Sequence, residues 1–255
     1  MKIALVQSAL VWENPSANRR QFEDKISGLE LAIDLIVLPE MFSTGFTMNP
    51  AQVAETMTGA TVQWMQKLAK SRHCALIGSL VITENNNYYN RLLFVFPSGE
   101  IQFYDKRHLF TLAGEEKIYT TGKQKLIVDY LGWKICLLVC YDLRFPVFSR
   151  NVENYDLLIY VANWPETRVL AWDILLRARA IENICYTIGV NRIGIDANGM
   201  AYNGHSQLIA PTGDYKISPL ETDDTFVTDI YQNTVAETRK RFNFLNDRDF
   251  FDLKY

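Results

Sequence analysis

Short apolar runs separated by turn residues alternate with longer amphipathic stretches along most of this chain. Runs of the first kind, rich in β-branched and aromatic residues, predict strands over 3–7, 35–38, 75–83, 88–96, 101–105, 125–129, 134–139, 157–162, 186–191, 206–209 and 225–230. Apolar positions at helical spacing predict helices over 16–32, 61–72, 145–152 and 169–183. Asn14 and Pro15 mark the entry to the first, and Val62, Met65, Leu68 and Ala69 share one face of the second. The run Asn85, Asn86, Asn87 and the run Pro97, Ser98, Gly99 are turn chemistry between strands. The mixture of crossovers and hairpins predicts an α/β fold in which helices cover two sheets. No Gly/Ser-rich linker, low-complexity tract or short-period repeat divides the sequence, so residues 1–255 are expected to form a single domain.

Three strand ends change character abruptly. The run 134–139 is of the type buried on both faces, and Cys140 follows it, with Tyr141, Asp142 and Arg144 next. Nucleophiles of α/β enzymes are commonly held on such a strand-to-loop corner. A lone cysteine is more often structural, as Cys136 inside the same run is expected to be. The second end is Pro39, which stops the strand 35–38 just before Glu40. The third is Lys106, directly after the half-buried strand 101–105. Singly, Glu40 and Lys106 read as solvated surface groups. As a set they supply a thiol, a carboxylate and an ammonium.

Composition narrows the class. A chain of 255 residues, 48% apolar and 22% charged, can bury a sizeable core as one globular unit. A formal charge of −3 provides neither a basic footprint for nucleic acid nor a polybasic arm for an anionic membrane. The opening MKIALVQSALVW has one lysine and is interrupted by Gln7, so it reads as a strand rather than a signal segment. No run approaches the ~20 apolar residues of a membrane helix. Cys136 and Cys140 would lie about 13 Å apart on an extended strand, too far for a disulfide. Cys74 and Cys185 are the other two cysteines, and His73, His108 and His205 show no zinc spacing. A reduced, cytoplasmic protein without metal or cofactor is expected.

The segments LPEMF around Glu40, YDKRHLF around Lys106 and CYDLRFP around Cys140 resemble the Glu–Lys–Cys motifs of the nitrilase superfamily of carbon–nitrogen hydrolases, in order and approximate spacing. VANWPETR, RARAIEN and GHSQLIAPTG extend the resemblance over nearly the whole chain. NWPETR together with AGEEKIYTTG is most similar to the omega-amidase branch, whose members hydrolyse the terminal amide of short dicarboxylic acid monoamides such as 2-oxoglutaramate. The resemblance implies a four-layer α-β-β-α sandwich, dimers built through helices of each sandwich, and a second glutamate at Glu115, with the adjacent Glu116 as the other possibility. Within the same fold a nitrile or N-carbamoyl hydrolase is the nearest alternative, and a non-catalytic interaction protein the most distant.

The residue types carry a mechanism for an amide. Thiolate attack divides one hard hydrolysis into two easier steps. Glu40 would move the proton from the thiol to departing ammonia. Lys106 and the backbone N–H of Tyr141 would hold the oxyanion. Phe42 and Phe145 flank the two corners, and Asn163 and Trp164 end the strand 157–162; all four are candidate pocket residues, although packing alone explains aromatics there equally well. Arg144 either binds a substrate carboxylate or braces the loop in an ion pair with Asp142 or Glu182, and the fork of arginine favours the ion pair. Arg168 is a candidate carboxylate clamp or a surface group. The tail from about 241 to 255 interleaves Phe242, Phe244, Phe250 and Phe251 with charges, which predicts packing partly on a second copy in a homodimer.

Overall fold

The computed structural model describes residues 1–29 and 32–253. Strands β1 (Lys2–Val6), β2 (Leu35–Val37), β3 (Ala75–Glu84), β4 (Asn87–Val95) and β5 (Ile101–Asp105) form the first sheet with β14 (Thr225–Asp229), in spatial order β14-β1-β2-β3-β4-β5. Strands β6 (Leu126–Tyr130), β7 (Trp133–Val139), β8 (Leu157–Ala162), β9 (Tyr186–Asn191), β12 (Gln207–Ile209) and β13 (Tyr215–Ile217) form the second, in order β13-β12-β9-β8-β7-β6. A hairpin of β10 (Ile193–Ile195) and β11 (Ala201–Asn203) stands apart from both. Each sheet has a parallel centre, β1-β2-β3 or β7-β8-β9, with antiparallel neighbours outside it.

Period-two burial explains the layers. Ile3 and Leu5 of β1 join Leu35, Val37, Ala75 and Ile77 in the core between the sheets, where they meet the residues of β7 and β8. Their sequence neighbours Ala4, Val6, Ile36 and Leu76 face outward, onto Phe22 and Ile26 of helix α1 (Pro15–Ser27) and onto Val62, Met65 and Leu68 of helix α3 (Ala60–Arg72). The one-turn helix α2 (Pro50–Val53) precedes α3. On the far side, Trp172, Leu176 and Ala180 of α5 (Val169–Asn183) cover the second sheet, and Gly189 of β9 lets them approach: a Cβ there would lie 2.4 Å from Leu176. Strands covered on both faces must read as continuous apolar runs, as these do. The result is the α-β-β-α sandwich.

Differences from expectation are local. The first helix ends at Ser27 with Gly28 as its cap; Glu30 and Leu31 of the expected 16–32 span lie outside the described residues. The expected helix 145–152 is a single turn, α4 (Pro146–Ser149). Asn151 stops it by donating from its backbone to Asn183 Oδ1 at 2.9 Å and from its side chain to the Tyr155 carbonyl at 2.9 Å. Strands β10, β11 and β13 and the helix α6 (Gln232–Phe242) were not expected. No helix among the described residues is long and apolar enough to cross a membrane.

Candidate active site

The parallel centres of both sheets point their carboxyl ends the same way, and in open α/β sheets that end is where ligands bind. Glu40 follows β2, Lys106 follows β5, Cys140 follows β7 and Asn163 follows β8. Strand β4 runs in the opposite sense, so its early residue Asn90 arrives at the same end and its carbonyl accepts from the Lys106 backbone at 2.9 Å. The Glu40 loop is pinned by Ser79, whose hydroxyl accepts from Met41 N at 2.8 Å. Behind Lys106, Gly122 donates to the Lys106 carbonyl at 2.9 Å and sits so close to Asp105 that a Cβ would lie 1.9 Å from its carbonyl oxygen. Only glycine fits that approach.

Cys140 opens the 3-10 turn Cys140–Arg144 with φ +45°, a left-handed conformation rare for a residue with a side chain and typical of strained functional corners. Asp142 holds this corner. Its carboxylate accepts from Val139 N at 2.9 Å, Tyr104 Oη at 2.7 Å and His108 N at 3.0 Å, and it contacts His108 Nδ1 at 2.7 Å. Every Asp142 oxygen is therefore engaged, and Glu182 is held by Arg179 at 2.9 Å. The expected ion pair of Arg144 with Asp142 or Glu182 does not form; Arg144 is exposed and lies over the Trp164 ring at 4.9 Å.

Glu40, Lys106 and Glu115 form one buried network. Lys106 Nζ donates to Glu40 Oε1 at 3.0 Å and to both Glu115 oxygens at 3.1 and 2.9 Å. Asn90 Nδ2 donates to Glu40 Oε1 at 2.7 Å, and Asn163 N donates to Glu40 Oε2 at 2.7 Å. Asn163 Nδ2 also donates to the Glu40 carbonyl at 2.6 Å. Glu115 accepts Phe110 N at 2.6 Å. The geometry selects Glu115, fully buried, over the exposed Glu116. Burial works against the Lys106 charge, but Glu115 and Glu40 together outweigh it and hold the ammonium above the ordinary lysine range. Burial first, and Glu40 second, raise Glu115 against the opposing pull of Lys106. Cys140 lies beside this network, with Sγ 3.9 Å from the Asn163 carbonyl. Burial and the Glu40 charge push its thiol well above the usual range, and Lys106 opposes them. The resting sulfur is thus a neutral thiol next to a carboxylate and a fixed ammonium.

The family model described as carbon-nitrogen hydrolase matches residues 2–240. This chain belongs to the carbon–nitrogen hydrolases. It is 42% identical over 254 residues to an omega-amidase of Escherichia coli K12, covering 99% of this chain and 98% of that one. It is 32% identical over 216 residues to a 2-oxoglutaramate amidase of Bacillus subtilis, covering 83% of each chain. A crystal structure of a carbon–nitrogen hydrolase superfamily protein from Xanthomonas campestris, which carries an arsenic adduct in its active site, superposes with a TM-score of 0.97 at 41% identity, over 100% of this chain and 99% of that one. The chain is an amide-hydrolysing enzyme of the nitrilase superfamily.

The hydrolase has a cavity of about 180 Å³ whose wall includes Cys140, Lys106, Tyr141, Asn163 and Trp164. That is below the ~300–1,000 Å³ of drug-sized sites and suits a small molecule. Two expected pocket residues are elsewhere. Phe42 is fully buried between the first sheet and its helices, edge-on to Phe22 at 5.4 Å and 5.9 Å from Trp64. Four positions on, Phe46 takes the wall position and lies 5.2 Å from Lys106 Nζ. Phe145 is stacked on His108 at 3.7 Å and supports Tyr141 from behind at 5.1 Å; it does not line this cavity. Asn90, Asp142, Phe46 and the hairpin residues Asp196, Met200 and Tyr202 were missed from sequence. Asn90 carried a signal, a polar side chain at an inward register of an apolar strand.

Proposed function

We propose that this hydrolase is an omega-amidase, cleaving the terminal amide of short dicarboxylic acid monoamides such as succinamate or 2-oxoglutaramate through a thioester at Cys140. The observation that carries this is the convergence of a thiol, a bridged carboxylate–ammonium–carboxylate triplet and a small cavity at one end of the two sheets. The names of the Escherichia coli and Bacillus subtilis relatives support the substrate class, and the arsenic adduct of the Xanthomonas campestris protein is the behaviour expected of an active-site thiol.

Because the thiol rests protonated, attack and deprotonation are coupled. Sγ bonds to the amide carbon as Glu40 takes its proton. The oxyanion is stabilised by Lys106 Nζ, which Glu115 holds from its other side, and by Tyr141 N–H. Glu40 returns the proton to nitrogen, the C–N bond breaks and ammonia leaves. Water, deprotonated by Glu40, then attacks the thioester and releases the diacid and the thiol. Asn90 and Asn163 keep Glu40 aimed through both half-reactions. The reading places the enzyme in the cytoplasm as one domain. It also makes it a homodimer whose contact includes the aromatic tail, with Phe250 93% exposed in a single copy; light scattering at micromolar concentration tests that part.

The test of function is ammonia release from succinamate, glutaramate, 2-oxoglutaramate, glutamine and asparagine, with product analysis. Turnover of the monoamides to diacid supports the reading. Turnover of a nitrile or N-carbamoyl compound in their place contradicts it.

A further inference from the structure

The outer wall of the cavity carries two guanidiniums. Arg144 is exposed and lies over Trp164 at 4.9 Å; Arg168 is half-buried and lies over Phe110 at 5.2 Å. Trp164 Nε1 donates to the Arg168 carbonyl at 2.8 Å, which ties the indole to the turn carrying Arg168. Among the described residues neither guanidinium has a carboxylate partner, whereas Arg91, Arg179 and Arg239 are each paired with one. The carboxylate on the same wall, Asp196, is already committed to its own hairpin. It accepts from Asn198 N and Met200 N at 2.9 Å each and from Tyr202 Oη at 3.0 Å. The cavity thus has a reactive sulfur at one end, two forked cations on the outer wall, and no free anion between them.

We propose that Arg168 and Arg144 together bind the free carboxylate of the substrate, and that the same pair disfavours amides that carry an ammonium beside that carboxylate. The inference rests on the omega-amidase reading and deepens it: the ligand class becomes a short monoanionic amide, with asparagine and glutamine as poor substrates. A guanidinium matches a carboxylate with two parallel N–H donors, and stacking on an aromatic face leaves those donors available at its edge. Arg168 is the main anchor because it is the less exposed and the less screened of the two. Arg144 completes the site from the solvent side. A zwitterion would bring its ammonium against two cations and find Asp196 occupied.

The experiment compares succinamate with butanamide, the same chain with a methyl group in place of the carboxylate, in Arg168→Met, Arg144→Met, the double variant and Arg168→Lys. For succinamate, KM is expected to rise ~30–100-fold in Arg168→Met and ~3–10-fold in Arg144→Met, the range of a lost charge-assisted hydrogen bond. Values of kcat for succinamate and kcat/KM for butanamide should stay within about threefold. Arg168→Lys should recover part of the loss, since it keeps the charge and loses the fork. A parallel measurement needs no turnover: succinate should protect Cys140 from iodoacetamide, and the protecting concentration should rise in Arg168→Met with the succinamate KM. Equal losses on succinamate and butanamide, or unchanged KM and unchanged protection in the double variant, overturn the clamp and leave the omega-amidase reading standing. A wild-type enzyme that turns over butanamide and none of the monoamides overturns both.

Discussion

The two ends of the cavity are built on opposite principles. At the inner end Glu40, Lys106, Glu115 and Asn90 are almost wholly buried and bonded to one another, so each charge meets its counter-charge within the protein. On the outer wall Arg144 and Arg168 are partly open to solvent and rest on aromatic faces. Groups that must act on a reacting bond are fixed by each other before any substrate arrives, which removes reorganisation from the barrier. Groups that recognise a ligand keep their donors free for it. Removing an inner group should therefore damage both chemistry and stability, while removing an outer group should change only affinity.

The largest expected effect is at Glu40. Glu40→Gln should leave the fold intact and lower kcat by about 10²–10⁴, the span of a general base. The same change has a second, signed consequence. The Glu40 charge is one cause of the raised Cys140 thiol, so its removal leaves Lys106 opposed only by burial and the more distant Glu115, and Cys140 should ionise at lower pH. The pH profile of alkylation should move down while turnover falls. A profile that stays in place, or near-normal turnover, would separate Glu40 from the sulfur.

Next is the contrast in stability. Glu115→Ala strips Lys106 of two hydrogen bonds and leaves a buried charge half-compensated, which costs about 3–5 kcal/mol in denaturant unfolding. Arg144→Met, on the outer wall, should change stability by no more than ~0.5 kcal/mol. Similar losses for both would erase the distinction between the two ends.

A smaller effect is set by pH and by cysteines that take no part in the chemistry. Burial pushes Cys74 up to about 11 and Cys185 to about 12 from an ordinary value of 9.0. The folded state holds these protons more tightly than the unfolded one. Their contribution is whole below pH 9 and declines as pH rises through the folded values. The melting temperature should fall between pH 9 and pH 11; a flat profile there would contradict the burial of these thiols. Smallest is the pair of phenylalanines that sequence reading exchanged. Phe42→Leu should cost about 1 kcal/mol of stability with KM unchanged, and Phe46→Leu should do the reverse.

What was legible in the sequence follows from that contrast. The three corners were visible because buried parallel strands write continuous apolar runs, and a charge or thiol directly after such a run stands out, as at Lys106 and Cys140. Glu115 came from family resemblance; nothing in its own loop separates it from Glu116 until the loop folds and only one of the two turns inward. Phe42 and Phe46 are equally aromatic, and the left-handed turn at Met41 (φ +43°) reorients the chain that carries both. Residue spacing does not encode that reversal. Arg144 was misread because the partners expected for it are claimed by Val139, Tyr104, His108 and Arg179, groups scattered along the chain. The β10–β11 hairpin was missed because its strands are three residues each and half exposed, so alternation had too few positions to show.

The central claim is that Cys140 is the atom-transferring centre of an amidase whose remaining parts are already in place around it. Ammonia release from succinamate by Cys140→Ala, in protein shown to be folded by an unchanged melting curve, tests it most directly. The expected rate is at least about 10⁴-fold below that of the native chain, the order seen when a nucleophile is removed from an otherwise intact site. A rate within tenfold of native would place the chemistry elsewhere.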